Sequence, residues 1–330
     1  MQDRPISATG ASGPKTFSPG DAAYAELAWI GAKLESSPPD HELTYDLLPG
    51  VPRALDPWVT RIIAPNAGVM TGPGTNSYLI GTRERAVIDP GPPDEAHIEA
   101  LLRAGEGRIR WILCTHTHVD HAEGVAKLQQ ATGARVAAMP MAPGVSESDA
   151  GEHNVELVLD HVLTEEESLE IDGMPVRVLF TAGHASNHLC FLLPETGMLF
   201  TGDHIMQGST VVIWPPDGNM RAYLQSLRRL RTFDLNILAP GHGYLIGRPH
   251  AEIERLIQHR LAREEKVRNG LAKAGKSATL EALLPLVYDD VAKALHPVAA
   301  RSLEAHLDKL VEEGEVLCTE GRYTQINEAG

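Results

Sequence analysis

The stretch "CTHTHVDHAEG", residues 114 to 124, places His116, His118, Asp120 and His121 within six positions. Imidazole nitrogens and carboxylate oxygens are the ligands that suit zinc and related divalent ions, and this loop carries both at high density. Residues of the same kinds recur where later apolar runs give out: His184 in "TAGHASNH", Asp203 in "FTGD" and His242 in "NILAPGHG". In α/β sheets, ligands gather beyond the carboxyl ends of strands, so these positions are where a site would be assembled. On residue types and placement alone the reading is a metal site. A metal-bound water becomes acidic enough to supply hydroxide near neutral pH, so hydrolysis there needs no serine or cysteine nucleophile.

The elements that must position these residues can be read from periodicity. From Trp58, "VTRIIAP", "NSYLIG" and "RAVIDPG" read as strands and "DEAHIEALLRAG" as a helix. "RWILC" is a short buried strand that empties into the histidine loop, and "AEGVAKLQQATG" is a helix stopped at Gly133. "ARVAAM" and "VRVLF" are further strands, and "CFLLPETGMLFTGD" is a hairpin turning at Pro194 to Gly197 and ending on Asp203. Met220, Tyr223, Leu224, Leu227 and Leu230 form a helical core stripe. A long polar helix then leads away from Pro249 to Ala274. It is followed by "SATLEALLPLVY", "PVAARSLEAHLDKLVEEG" and "EVLCTEGRYTQI": helix, helix and a ribbon turning at Gly321, a winged-helix pattern. Three units result: an N-terminal extension over 1–55, with a loose arm and a helix at 21–35, a catalytic unit over 56–250, and a linker helix with winged helix over 251–330.

Composition bounds the function. The chain has 330 residues, is 43% apolar and contains no apolar run near the roughly 18 residues a membrane span needs. A formal net charge of −15 argues against general affinity for nucleic acid or anionic membrane. Cys114, Cys190 and Cys318 are scattered, without CxxC spacing, which predicts buried thiols in a reducing compartment. The first twenty residues lack the features of a secretory signal, so a cytoplasmic protein is expected. The winged-helix segment is acidic, with ten Asp and Glu against Lys293, Arg301, Lys309 and Arg322. Residues 258–277 are basic, six Lys and Arg against two Glu, which reads as a solvated helix face or, alternatively, a track for a polyanion.

"THTHVDH", "GH" at 183–184, "TGD" at 201–203 and "PGHG" at 240–243, in this order and with the early "GPGTNSYLIG", resemble the metallo-β-lactamase superfamily. The resemblance implies an α+β fold, a four-layer αββα sandwich with metals at one edge, and a small C-terminal winged-helix domain. It implies two zinc ions, other divalent metals being possible: His116, His118 and His184 on one, Asp120, His121 and His242 on the other, and Asp203 on both. It further implies hydrolysis by a hydroxide bridging the metals, with Asp120 orienting it. Flavodiiron members carry glutamate at the position of His118, and drug-hydrolysing zinc β-lactamases generally lack an aspartate like Asp203. Both contrasts point to a zinc hydrolase that does not act on antibiotics. The continuation from "PGHGYLIGRPH" through "LHPVAARSLEAHLDKLVEEGEV" is similar to the lactamase-beta-2-like branch, which includes a mitochondrial endoribonuclease of single-stranded RNA.

The expected substrate is a small ester or thioester of the glyoxalase II or lactonase kind, with single-stranded RNA as the alternative. A non-enzymatic winged-helix regulator is disfavoured by the complete ligand set. No membrane partner is expected, and a homodimer is possible. His188, His204 and Trp214 are candidate substrate contacts, each weighed against a structural role. His41, His97, His153, His161, His250, His259, His296 and His306 read as surface residues, and the glycines of "GPGTN" as turn glycines, because no GKS or GKT follows.

Overall fold

The computed structural model describes residues 47–141, 153, 157–275 and 277–326, so the expected arm and the helix at 21–35 lie outside the described residues. Two sheets stack face to face. In the first, β1 (Arg53–Ala54), β2 (Val59–Ile63), β3 (Asn76–Ile80), β4 (Arg85–Ile88), β5 (Ile109–Leu113), β6 (Arg135–Ala138) and β7 (His161–Val162) lie side by side in chain order. The pairing is antiparallel up to β4 and parallel thereafter. Parallel neighbours need crossovers, and these are α1 (Glu95–Gly105), the short α2 (Val119–Ala122) and α3 (Val125–Thr132). The second sheet has the order β12-β11-β10-β9-β8, built from β8 (Ser168–Ile171), β9 (Met174–Phe180), β10 (Leu189–Leu193), β11 (Met198–Gly202) and β12 (Ile237–Pro240).

Strand alternation explains the layering. On β3, Tyr78 and Ile80 point into the space between the sheets while Leu79 points outward to α1 and α3. On β10, Phe191 and Leu193 point inward and Leu192 outward, under α4 (Met220–Leu230) and α5 (Pro249–Ala274). Because helices cover the outer face of each sheet, these strands read as continuous apolar runs. Tyr78 and Phe200 meet across the sheets with ring centroids 5.0 Å apart. The stripe Met220, Tyr223, Leu224, Leu227 and Leu230 is buried as the sequence predicts, and Asn219 caps α4 by accepting from the Ala222 amide.

A third core unites the C-terminal part of α5 with α6 (Leu280–Val287), α7 (His296–Glu312) and a small sheet of β13 (Ala278–Thr279), β15 (Arg322–Gln325) and β14 (Val316–Thr319). Val212, from a loop of the catalytic domain, belongs to this core, so the winged helix is docked and not tethered.

The long helix departs from the sequence reading. It buries Arg260, Arg263 and Glu264 between the two domains instead of leading away into solvent. Arg260 donates to the Val211 carbonyl, Arg263 to the Val287 carbonyl and Asp290, Lys266 to Asp289 and Asp290, and Arg268 to Glu264 and Glu315. Arg263, Lys266 and Arg268 of the basic stretch 258–277 are therefore matched to winged-helix carboxylates, so this part of the helix is not a freely solvated face. Cys114 and Cys190 are buried, but Cys318 is exposed on β14. Among the described residues no helix is long and apolar enough to cross a membrane.

Glu264 is the centre of this docking: it accepts from Arg268 at 2.9 Å and forms an ion pair with Lys309 at 2.8 Å, with His306 3.8 Å away. Burial alone would raise its carboxyl pKa, but His306 and Lys309 beside it hold it down to about 2. A depressed carboxyl pKa stabilises the fold above the unfolded glutamate value of about 4.3 and loses that contribution as pH falls towards 2. Glu264→Ala removes the buried carboxylate that Lys309 and Arg268 share, leaving them Glu313 and Glu315, and is expected to lower unfolding stability by about 2 kcal/mol, the scale of lost charge-assisted hydrogen bonds. Urea unfolding at neutral pH checks it; a loss under 1 kcal/mol, on the order of an exposed pair, would contradict the buried-pair account.

Candidate metal centre

The site is assembled where the edges of both sheets meet. The loop leaving β5 is fixed by Asp89, at the end of β4, whose carboxylate accepts from the Thr115 amide at 2.7 Å and the Thr115 hydroxyl at 2.8 Å. The second sheet holds the same loop from the other side, with the Leu189 amide donating to the Thr115 carbonyl at 2.6 Å. The turn after β12 is pinned by β3: the Asn76 side chain donates to the carbonyls of Pro240 and Gly243, each at 2.9 Å, and Tyr78 donates to Pro240 at 2.7 Å. The segment "GPGTNSYLIG" thus carries the clamp that sets His242 against the first sheet.

One group of ligand atoms comprises His116 Nε2, His118 Nδ1 and His184 Nε2; the His118 atom is 2.9 Å from the first and 3.0 Å from the second. The other nitrogen of His184 faces the Val212 carbonyl at 2.8 Å, which can only accept, so Nδ1 carries the proton and Nε2 presents a lone pair. The Thr115 hydroxyl donates to Asp89 and so accepts from His116 Nδ1, at 3.0 Å, which leaves His116 Nε2 likewise unprotonated. Two lone pairs therefore converge on His118 Nδ1, which has at most one proton to share.

The second group is formed by Asp120, His121 and His242. His121 Nε2 lies 3.6 Å from Asp120, and His242 Nε2 lies 3.3 Å from it. The far nitrogens are oriented by Asp89, 2.9 Å from His121 Nδ1, and by the Gly74 carbonyl, 3.2 Å from His242 Nδ1. Asp203 stands between the groups. Its Oδ1 is 3.3 Å from His121 Nε2 and 3.4 Å from His242 Nε2, while its Oδ2 faces His184 Nε2 at 3.8 Å. All seven residues expected at the site are brought together.

These side chains fit a metal. His121 Nε2, His242 Nε2 and Asp203 Oδ1 are buried without a hydrogen-bond partner, three orphaned atoms aimed at one another. Gly241 leaves the space open: a Cβ there would lie 2.7 Å from both Asp203 Oδ1 and His121 Cε1. The electrostatics divide into two halves. Burial first, and then the neighbouring imidazoles, hold His116 and His118 well below the usual histidine range, and burial also lowers His184. Burial opposes charge on His121 and His242 too, but nearby carboxylates outweigh it, raising His121 strongly and His242 to about 9. Burial would raise the Asp203 carboxyl, yet His242 and His121 hold it well below the usual carboxylate range.

The three candidate substrate contacts separate. Trp214 is 44% exposed and lines a pocket of about 540 Å³ together with His118, Asp120, His184 and Asp203. His188 and His204 are fully buried and lie outside that lining. His188 stacks on His116 with centroids 5.0 Å apart, accepts at Nε2 from the Asp203 amide at 3.2 Å and meets the Thr181 hydroxyl at 2.9 Å. It positions ligands and does not face substrate. His204 packs 4.8 Å from the Tyr223 ring with both nitrogens unpartnered: in the turn that follows β11, where its amide donates to the Thr201 carbonyl at 2.9 Å, Asp203 faces the site and His204 the core.

Several histidines expected on the surface are buried: His97 against Ser77, His306 beside Glu264, and His153, whose ring lies 4.3 Å from that of His118. His153 also approaches Asp217 at 3.3 Å. Asp89 and Asp217 are site residues that the sequence reading passes over. Asp89 had a usable signal, since "RAVID" ends a strand on a carboxylate as "FTGD" does; Asp217, in a Pro-rich loop, had none.

Residues 70–242 match the family model described as the metallo-beta-lactamase superfamily, and residues 279–322 match the beta-lactamase associated winged helix domain. The chain is 32% identical over 281 residues to the beta-lactamase-like protein 2 homolog of Drosophila melanogaster, covering 82% of this chain and 93% of that one. It is 31% identical over 252 residues to the atrochrysone carboxyl ACP thioesterase of Aspergillus fumigatus, covering 74% of this chain and 71% of that one. A solved metallo-beta-lactamase family protein from Thermus thermophilus superposes with a TM-score of 0.67 at 26% identity, over 83% of this chain and 100% of the other.

A metal binds only neutral imidazole, so protons on His121 and His242 must leave before their group is filled. Affinity at that group therefore rises with pH through about 9, the value for His242, whereas the His116, His118 and His184 group changes little. Calorimetric zinc titration of metal-free protein is expected to show one tight and one weak site near pH 6, about two equally tight sites near pH 9, and proton release confined to the weaker site. Two sites with the same pH dependence would contradict this division.

Proposed function

The chain belongs to the metallo-β-lactamase superfamily, with a C-terminal winged helix, and as a hydrolase of that superfamily we propose that it cleaves a small thioester or ester at two zinc ions held by the seven ligands. The observation that carries this reading is Asp203 lying between two ligand groups at the floor of a largely apolar pocket. Zinc bound there would supply Lewis-acid polarisation of the scissile carbonyl and a water acidic enough to lose its proton near neutral pH.

The chain's own residues do the rest. Asp120, the most solvent-accessible of the carboxylate ligands, lines the pocket, where its oxygens can accept from the attacking water and direct it. Asp89 and Thr115 keep His116 and His121 in the tautomers that present Nε2. Met206, Val212 and Val298 line the pocket and exclude bulk water, which strengthens every electrostatic contact inside it.

The leaving group discriminates between the two substrate classes. Among the described pocket-lining residues the carboxyl groups are those of Asp120, Asp203 and Asp217, and all three are held ionised. For Asp217 the opposing influences are burial, which raises its pKa, and His153 and Ser186, which lower it further. No side chain in the lining is therefore poised to hand a proton to a departing alkoxide. A thiolate, with a thiol pKa of about 8.5, leaves near neutral pH without that help. Arg263, Lys266 and Arg268, three of the basic residues that might have guided RNA, are paired with winged-helix carboxylates, which also favours a small substrate. The likeness to a thioesterase accords with this choice.

Zinc-supplemented protein is expected to hydrolyse an aryl thioester, to lose about 10²-fold or more in kcat/KM as Asp203→Asn or on chelation, and to leave single-stranded RNA intact. Metal-dependent RNA cleavage without thioester turnover would replace this reading with the endoribonuclease one.

A further inference from the structure

The first turns of α7, in the winged helix, reach the metal pocket: Pro297, Val298 and Arg301 line it together with His118, Asp120, His184 and Asp203. Among the described residues Arg301 is the one arginine or lysine in that lining. Its guanidinium carbon lies 4.5 Å from the centroid of the Trp214 ring, and the indole is itself half exposed. The Trp214 backbone is held in a tight turn, since the Gly218 amide donates to the Trp214 carbonyl at 2.7 Å and a Cβ at Gly218 would meet the Trp214 backbone at 2.5 Å.

Among the described residues, the only charged partner of Arg301 is Glu304, three residues along the same helix, at 3.6 Å and beyond hydrogen-bond range. The other arginines and lysine at the domain junction are engaged: Arg260, Arg263, Lys266 and Arg268 all donate hydrogen bonds to carbonyls or carboxylates. A guanidinium stacked on an aromatic face keeps its N–H edge free, and that edge matches the two oxygens of a carboxylate or phosphate. The pocket floor, by contrast, carries Asp120, Asp203 and Asp217, which repel an anion in the absence of metal. The polarity of the pocket is therefore graded: carboxylates and imidazoles at the floor, apolar walls, and one donor-rich cation supplied by the second domain.

We infer that Arg301, laid on Trp214, binds an anionic group at the far end of the substrate, so that the winged helix selects acyl thioesters or esters carrying a carboxylate or phosphate on an apolar or aromatic body. This rests on the thioester reading for the identity of the reacting bond but on the Arg301 geometry alone for the anion. In this arrangement the winged helix acts as a specificity wall of the metal site. It is not a nucleic-acid module here.

The test is equilibrium binding, by calorimetry, of a matched pair of non-hydrolysable aryl thioethers that differ only in a terminal carboxylate or carboxamide. Wild-type protein is expected to bind the carboxylate about tenfold more tightly, the size of a partly exposed charge-assisted contact. Arg301→Gln is expected to erase that preference while leaving carboxamide binding within about twofold, and Arg301→Lys to restore part of it, because an ammonium keeps the charge but loses the fork. Equal binding of the pair to wild type, a preference that survives Arg301→Gln, or no binding of either ligand would overturn the inference. So would single-stranded oligonucleotide binding that depends on Arg301 with no carboxylate preference, which would assign the residue to a phosphodiester backbone. Turnover of the corresponding thioester, measured in parallel, keeps the two readings apart. Selective binding without turnover removes the hydrolytic reading alone, and turnover without selectivity removes this one alone.

Discussion

Burying two carboxylates and a set of imidazole lone pairs in one small volume is unfavourable unless positive charge stands among them. Asp203 is the centre of that constraint: fully committed to the interior, it faces His121 and His242 with one oxygen and His184 with the other. In the absence of cations the carboxylates compensate by keeping His121 and His242 protonated, while the opposite half of the site stays neutral. Two metals held there would replace those protons and satisfy the converging lone pairs of His116 and His184 as well. Much of the local structure follows from maintaining this arrangement, including a glycine at 241 where any side chain would collide with two ligands.

The fold supplies the ligands by bringing together strand ends from two sheets that have no strand in common. Asp89 ties the histidine loop to the first sheet, Asn76 and Tyr78 tie the His242 turn to the same sheet, and His188 supports Asp203 from beneath through its amide. The clamps are short hydrogen bonds between buried groups, so ligand positions depend on sheet-to-sheet packing as much as on the loops themselves. The winged helix extends the same logic outward. It is fastened by a buried Glu264 network and by Val212, which sits in its core one residue from a pocket-lining neighbour. Catalytic domain and winged helix consequently form one pocket.

The candidate ligand residues were legible in the sequence because imidazole and carboxylate at successive strand ends are chemically distinctive, and strand ends can be found from apolar runs and turn residues; their division between two metals came from the family resemblance. The α4 stripe and the span of α5 were legible for the same reason: helical periodicity is local. What escaped the sequence was set by contacts between distant residues. Arg263 and Asp290 are 27 positions apart and Arg268 and Glu315 are 47, so a local charge count sees a basic helix where the fold builds an internal interface. His153 and His97 read as ordinary surface histidines until the fold sets one beside His118 and the other beneath Ser77. His204, a candidate contact weighed against a structural role because it follows Asp203 directly, takes the structural one against Tyr223.

The central claim is that one carboxylate joins two metal positions in this pocket. Anomalous diffraction at the zinc edge, from crystals of zinc-supplemented protein near pH 8, tests it most directly. The account predicts two peaks about 3.5 to 4 Å apart, one among His116, His118 and His184 and one among Asp120, His121 and His242, with Asp203 touching both. A single peak, or two peaks with Asp203 bound to only one of them, would contradict it.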